Sequence, residues 1–445
     1  MLRGHLGRRY RLVGYRHVAQ QFGTAVHPHE RQVTYCDSST SSMLIRLLRR
    51  FGPVMGMTMT SQAINAASLL LIPFTLTVAW SDIYSVSIQV GSSALGGVVI
   101  GVVYNIAIGR RGFNRWRTAA AAASIFSIGL GIVAGILVYS GGGAVSTLGL
   151  QGLLLLGTFT IGGIGLAVGG CGAVRAACHG NALPLASVNL LPATALLLSL
   201  LCVLLFGAPM LLPGICWALV ALAQAAWFWR GSYEYPTTAE GESARSQLSH
   251  IGALSLGVIA STVLPTFYIA AITQLPGGVT SVVFLITRIA TSIVGLGVNS
   301  VLLVRYSWNS PARNVQPLTR PLVALAAAGL VIGLALSAIE SEVGTLVCMV
   351  ISWIAMLVAS AVILRETNSR KLVKAIAVKV GVDLSLSSLG AVWLFTNPSV
   401  QGYFGVFTLS QAVTTLVCGI YLRYRWTAIL SALVLVLSVA NIVLG

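Results

Sequence analysis

Acidic residues are nearly absent from this chain: 10 of its 445 residues are Asp or Glu, and charged residues of both signs together make up 8%. An ordinary soluble domain carries about 25% charged residues, so water is not the solvent for most of this surface. A hydrophobic content of 56% and a mean hydropathy of +0.88 give that role to lipid. The shortage of carboxylates also removes function classes. A membrane glycosyltransferase or a polysaccharide-modifying enzyme needs acids to hold a metal or act as a base at the membrane face, and Asp82 alone is a poor basis for one. No GxxxxGK[ST] run is present, so the chain has no phosphate-cradling loop for hydrolysing nucleotide. The seven cysteines (36, 171, 178, 202, 216, 348 and 418) include no CxxC pair and lie mostly in or beside apolar runs, where they read as buried thiols. Cys171, Cys178 and His179 share one short stretch but fall short of the roughly four ligands of a structural zinc. No metal and no cofactor are expected, and the chain does not read as an enzyme.

What the chain has in quantity is long apolar runs. Windows long enough to cross a hydrocarbon core fall at about 53 to 80, 83 to 109, 118 to 140, 146 to 170, 184 to 206, 210 to 229, 251 to 274, 278 to 304, 321 to 339, 343 to 364, 376 to 396 and 401 to 422. A thirteenth run, 427 to 444, ends the chain. The expected fold is therefore an all-α polytopic membrane protein with twelve core transmembrane helices and an additional C-terminal one.

The formal charge of +17 points to nucleic acid only where basic residues share one solvated face. Here they sit between apolar runs, after spans two, four, six, eight, ten and twelve and in the N-terminal tail, and no nucleic-acid partner is expected. The connections after the odd-numbered spans hold no Lys or Arg, only Asp82, Glu340 and Glu342. Since cytoplasmic loops are enriched in Lys and Arg, this alternation places the N-terminus in the cytoplasm and the protein in a plasma or inner membrane. Residues 1 to 50, with nine arginines and no apolar run long enough for a signal-sequence core, read as a disordered cytoplasmic tail. Within them Met43 begins MLIRLLRRFGP, which looks like an ordinary start before a first span.

The most polar internal stretch, RGSYEYPTTAEGESARSQLSH, divides the spans evenly. The expected domains are a six-helix lobe over 51–230, a cytoplasmic linker over 231–250, a second six-helix lobe over 251–422 and the extra helix over 423–445. An offset of 196 lays SVSIQVGSSALGGVVIGV (85 to 102) on SVVFLITRIATSIVGLGV (281 to 298), with six identities. Six spans per half give both halves the same orientation, related by an axis along the membrane normal, and leave a seam where a central cavity can form. Glycines 91, 96, 97 and 101 in span two and 162, 163, 165, 169 and 170 in span four suit close helix contacts.

All but one of the 27 basic residues obey the topology rule; the exception is Arg288. By helical rise it lies about 15 Å from residue 278, near the midplane. A lone arginine there costs about 2.5 to 3.5 kcal/mol on insertion scales. Two explanations stand: a neighbouring helix satisfies it, or it is a fixed cation in a cavity that receives an anionic group such as phosphate. Gln62 and Asn65 in span one share a face, with Thr58 and Ser61 beside them, and are either cavity donors or interhelical glue. Tyr104, Asn105, Asn189, Gln224, Asn299 and Gln411 carry the same two readings. Asp383, four residues after Lys379, reads as half of a local ion pair near the headgroups. Spans one to six show no buried carboxylate that would serve as a proton or sodium site.

The first hairpin, SQAINAASLLLIPFTLTVAWSDIYSVSIQVGSSALGGVVIGVVYNIAIGR, has a polar-dotted helix with a proline near its end, an acidic and tyrosine-bearing turn, and a small-residue helix ending in arginine. With the six-plus-six plan it resembles the multidrug/oligosaccharidyl-lipid/polysaccharide exporter superfamily, and within it the bacterial polysaccharide flippases, over about residues 43 to 422. The resemblance implies two lobes that alternately expose a cationic cavity and move a polyprenyl-diphosphate-linked sugar between leaflets. It implies Arg288 as the diphosphate anchor and Gln62 and Asn65 as donors, with Asn299 and Asn105 as further substrate-binding candidates. The implied partners are the lipid-linked anionic sugar, membrane lipids and polysaccharide-assembly proteins. The lack of a first-half carboxylate is a departure from cation-coupled multidrug exporters that counts against a drug antiporter without excluding it. The alternatives are a multidrug transporter and a major-facilitator-type solute transporter; the loop pattern of the latter has an Asp before the arginines, and here Gly109 precedes Arg110 in NIAIGRRGFNRWR.

Overall fold

The computed structural model describes residues 40–104, 115–141, 144–178, 181, 183–230, 263–294, 315–369 and 372–444. Thirteen helices follow the thirteen apolar runs. They are α1 (Thr40–Thr75), α2 (Val78–Ser93, continued by a π-helical stretch, Ala94–Tyr104), α3 (Trp116–Ser140), α4 (Gly149–Cys178), α5 (Leu190–Phe206, after the single turn Leu183–Ser187) and α6 (Leu212–Arg230). The rest are α7 (Val263–Ile272), α8 (Val279–Ile293), α9 (Gln316–Ala338), α10 (Glu342–Ser369), α11 (Val373–Thr396), α12 (Val400–Tyr421) and α13 (Arg425–Leu444). Among the described residues ten helices are long and apolar enough to cross a membrane, and α7 and α8 are shorter apolar ones. The chain is an all-α polytopic membrane protein. Its lipid-facing surface is apolar: Ile125, Ile132 and Ile136 of α3 and Phe206 of α5 are exposed, as they would be in a solvent as apolar as themselves.

Two boundaries differ from the sequence expectation. Helix α1 starts at Thr40, inside the stretch expected to be a disordered tail. The turn between α1 and α2 lies at Leu76 and Thr77, not at 81 and 82. Helix α1 runs through Pro73 and ends at Thr75, but the residues after the proline, FTLTVAW, remain apolar, so hydropathy shows no break there. The consequence is that Asp82, expected in a connection, sits in the second turn of α2 and is buried. The first half therefore does contain a buried carboxylate.

Glycine makes the first-half contacts possible. A Cβ on Gly163 of α4 would stand 2.8 Å from the Gly91 carbonyl oxygen of α2, and one on Gly165 would stand 2.8 Å from the Ala221 carbonyl carbon of α6. Both are backbone collisions, so α4 packs against α2 and α6 only because these positions lack side chains. Each half also has an aromatic knot. Phe159 stacks between Tyr84 (5.6 Å) and Trp217 (4.8 Å), and Phe407 stacks between Tyr268 (5.1 Å) and Tyr403 (4.9 Å). The tyrosine hydroxyls are satisfied at depth by carbonyls: Tyr84 donates to Met210 at 2.7 Å and Tyr268 to Ser387 at 3.0 Å.

Helix α13 is an integral part of the second half, packed on α9 and α12. It buries a polar stripe, Thr427, Ser431, Ser438 and Asn441. Ser431 donates to the Thr415 hydroxyl at 2.9 Å, and Asn441 donates to the Leu437 and Leu330 carbonyls at 2.9 and 3.4 Å. Interhelical polar contacts of this kind hold helices together where lipid gives no hydrophobic incentive.

Candidate functional site

Helix α8 packs against α1 and α2 of the first half, so the two halves meet along it. Arg288 stands partly buried on that seam. Its Nη2 donates to Gln89 Oε1 and to Ser92 Oγ of α2, both at 2.8 Å. Its guanidinium carbon lies 5.1 Å from the centre of the Phe284 ring, one turn earlier on α8. Thr287 Oγ1 and Tyr403 Oη, 3.2 Å apart, border the guanidinium on the α12 side. The acceptors are themselves oriented: the Ser92 hydroxyl donates back to the Gln89 carbonyl at 3.3 Å, and the Gln89 amide reaches Ser93 Oγ at 3.5 Å.

Every protein partner of Arg288 among the described residues is neutral. An ion pair between Lys379 and Asp383, at 3.1 Å, lies elsewhere in the second half. Both bonds from Arg288 leave by Nη2. Among the described residues no carboxylate pairs with the guanidinium, and a guanidinium held through one nitrogen by neutral acceptors has the chemistry to take an anion in a forked contact.

The four hydrogen bonds that join α2 to α8 share a pattern. Asp82 pairs with Gly278 and Ser92 with Arg288 at separations of 196 residues, while Asp82 with Ser281 and Gln89 with Arg288 are 199 apart. The first separation equals the 196-residue offset at which the two stretches align in sequence.

The other expected site residues are less concentrated. Gln62 and Asn65 are partly buried on α1, which packs on α8, but neither hydrogen-bonds to Arg288. Asn105 and Asn299 lie outside the described residues, as do His179 and the stretch 231–250. Asn189 begins α5 as its N-cap residue without a side-chain cap bond. Gln224 is glue, donating to the Ser187 carbonyl at 3.1 Å, and Gln411 accepts from Ser360 of α10. Asp383 forms the ion pair read from its spacing, and it also accepts from Ser387 at 3.1 Å and from Ser410 of α12 at 2.6 Å. Cys171 and Cys418 are buried, but Cys178 is exposed at the last turn of α4, contrary to expectation. No group of three potential metal ligands occurs among the described residues. Gln89 was not singled out from sequence, and Asp82 was read as part of the connection after span one rather than as a site residue; a long polar side chain one turn from Ser92, in a helix of small and apolar residues, was the signal for Gln89.

No protein-family model matches the chain, and no curated protein matches it. Two solved structures align along most of its length. One is a MATE protein in a bent conformation, 14% identical over 91% of this chain and 94% of that one, with a TM-score of 0.31. The other is an inward-facing multidrug resistance MATE family transporter of the MOP superfamily, 13% identical over 87% and 93%, with a TM-score of 0.29. At these scores neither likeness carries a functional conclusion.

Proposed function

We propose that this chain is a membrane transporter of the multidrug/oligosaccharidyl-lipid/polysaccharide exporter superfamily. In this reading it flips a polyprenyl-diphosphate-linked oligosaccharide across the plasma membrane by alternating access between two lobes. The observation that carries the reading is Arg288. A midspan cation on the seam between the halves, held by neutral acceptors through one nitrogen and with no carboxylate partner among the described residues, suits a diphosphate. The buried Phe284 ring beneath it supports the guanidinium from one side. Gln62 and Asn65, on the neighbouring helix, are the donors for the sugar, and polysaccharide-assembly proteins are the natural suppliers of such a substrate.

A buried carboxylate in the first half is the feature that cation-coupled drug exporters would need, and Asp82 is buried. Both of its oxygens, however, are engaged by backbone amides, which leaves it poorly placed to exchange a cation. The test is deletion of the protein followed by mass analysis of lipid-linked intermediates. Accumulation of a polyprenyl-diphosphate oligosaccharide is expected; an unchanged lipid pool with altered drug sensitivity would refute the reading.

A further inference from the structure

Asp82 has a second consequence, independent of the anion site. Its side chain is 1% exposed, and its carboxylate crosses from one half to the other: Oδ2 accepts the Gly278 N–H at 2.8 Å and Oδ1 accepts the Ser281 N–H at 2.9 Å. These amides open α8. The N-cap position of that helix is Gly278, with φ of 92°, which has no side chain and makes no cap bond of its own. The cap that a helix start ordinarily takes from its own Ser, Thr, Asp or Asn is supplied here by the opposite half of the molecule.

We propose that Asp82 is a latch that holds the outer end of the seam shut and sets the register in which α8 presents Arg288. Helices α2 and α8 are joined at two levels, Asp82 at one and Gln89 with Ser92 about 10 to 15 Å further along by helical rise. The two joints respond differently to an anion. At Arg288 the acceptors are neutral, and a phosphate displaces them because charge-assisted bonds to guanidinium are stronger. At Asp82 the carboxylate faces the positive end of a helix, and no group there is one that an anion at Arg288 would claim. Substrate therefore loosens the inner joint and leaves the outer one closed, which is the order that entry from the cytoplasmic side requires. Opening outward breaks both carboxylate bonds and removes the cap from α8 in the same movement. The direction of opening rests on the proposed transport and topology; the latch contact does not.

The test uses the full chain with its native cysteines replaced and Ser85→Cys added. Ser85 is 1% exposed and lies one turn along α2 from Asp82. Modification by a membrane-impermeant maleimide is followed in right-side-out and inverted vesicles without substrate. With Asp82 intact the thiol is expected to react slowly from both faces. Asp82→Ala is expected to raise the rate at least tenfold from the outside alone. Asp82→Asn, whose amide oxygen replaces only one of two acceptors, is expected to fall between, and it carries the comparison if the alanine variant does not insert. An unchanged rate in folded variants, or an equal rise from both faces, overturns the latch. A rise confined to the cytoplasmic face retains the latch and overturns the topology used for the proposed function.

Discussion

Where α2 meets α8, facing positions 196 residues apart carry different chemistry. Ser92 of the first half faces Arg288 of the second, and Asp82 of the first faces Gly278 of the second. Because these positions meet across the seam, an arginine at both 92 and 288 would set two guanidinium groups against each other at low dielectric, and an aspartate at both 82 and 278 would oppose two carboxylates. At both levels of the seam one helix carries the charge and the other supplies neutral or backbone partners. The asymmetry extends to the periphery, where α13 adds a seventh helix to the second half alone.

The largest effect is expected from removing the charge. Arg288→Ala should lower transport more than a hundredfold, since two lost charge-assisted bonds at about 1.5 to 3 kcal/mol each amount to about 3 kcal/mol or more, with insertion unchanged. Arg288→Lys should keep about a tenth of the activity, since a point charge remains but the fork is lost. Both are read from the rate at which lipid-linked sugar reaches the outer leaflet. The comparison can then be broken by making the facing positions alike. Ser92→Arg with Arg288 retained should cut transport about thirtyfold through like-charge repulsion at short range. Ser92→Arg combined with Arg288→Ser should recover part of it, because the two positions share one site. Failure of the exchange to exceed Ser92→Arg alone would show that the positions are not interchangeable.

A smaller effect tests the neutral acceptors. Gln89→Leu removes an acceptor that the anion has to displace, so half-saturation should fall about five- to tenfold, the scale of about 1 to 1.5 kcal/mol, with the maximal rate changed less. The smallest effect separates glycines that pack from those that do not. Gly163→Ala drives a Cβ toward the α2 backbone and should lower the melting temperature in detergent by about 1 to 3 °C, as overpacking by about 1 to 3 kcal/mol does in a chain of this length. Gly157→Ala meets nothing within 4 Å and should leave it unchanged or raise it slightly.

Much of this was legible in the sequence, and the reasons are specific. Thirteen apolar runs declare thirteen helices because a bilayer demands length and hydropathy together. Arg288 stood out because it alone broke an alternation obeyed by every other basic residue. Its acceptors did not stand out, since Gln89 and Ser92 are unremarkable in a helix until a partner from residue 288 reaches them. Asp82 was misplaced for a local reason and undervalued for a distant one. The apolar residues after Pro73 hide the turn from hydropathy, and the groups that hold the carboxylate are backbone amides nearly two hundred residues away, which no side-chain pattern records. Gln62 and Asn65 were visible as a polar face on α1, and packing puts that helix on α8 without a bond to Arg288.

The most direct measurement is reconstitution of the purified protein in liposomes with a labelled polyprenyl-diphosphate oligosaccharide. Exposure of the sugar on the far leaflet would be timed for the native protein and for Arg288→Ala. The account predicts rapid exposure with the native protein and, with the alanine variant, a rate close to that of protein-free liposomes. Native-like exposure with the alanine variant would contradict it.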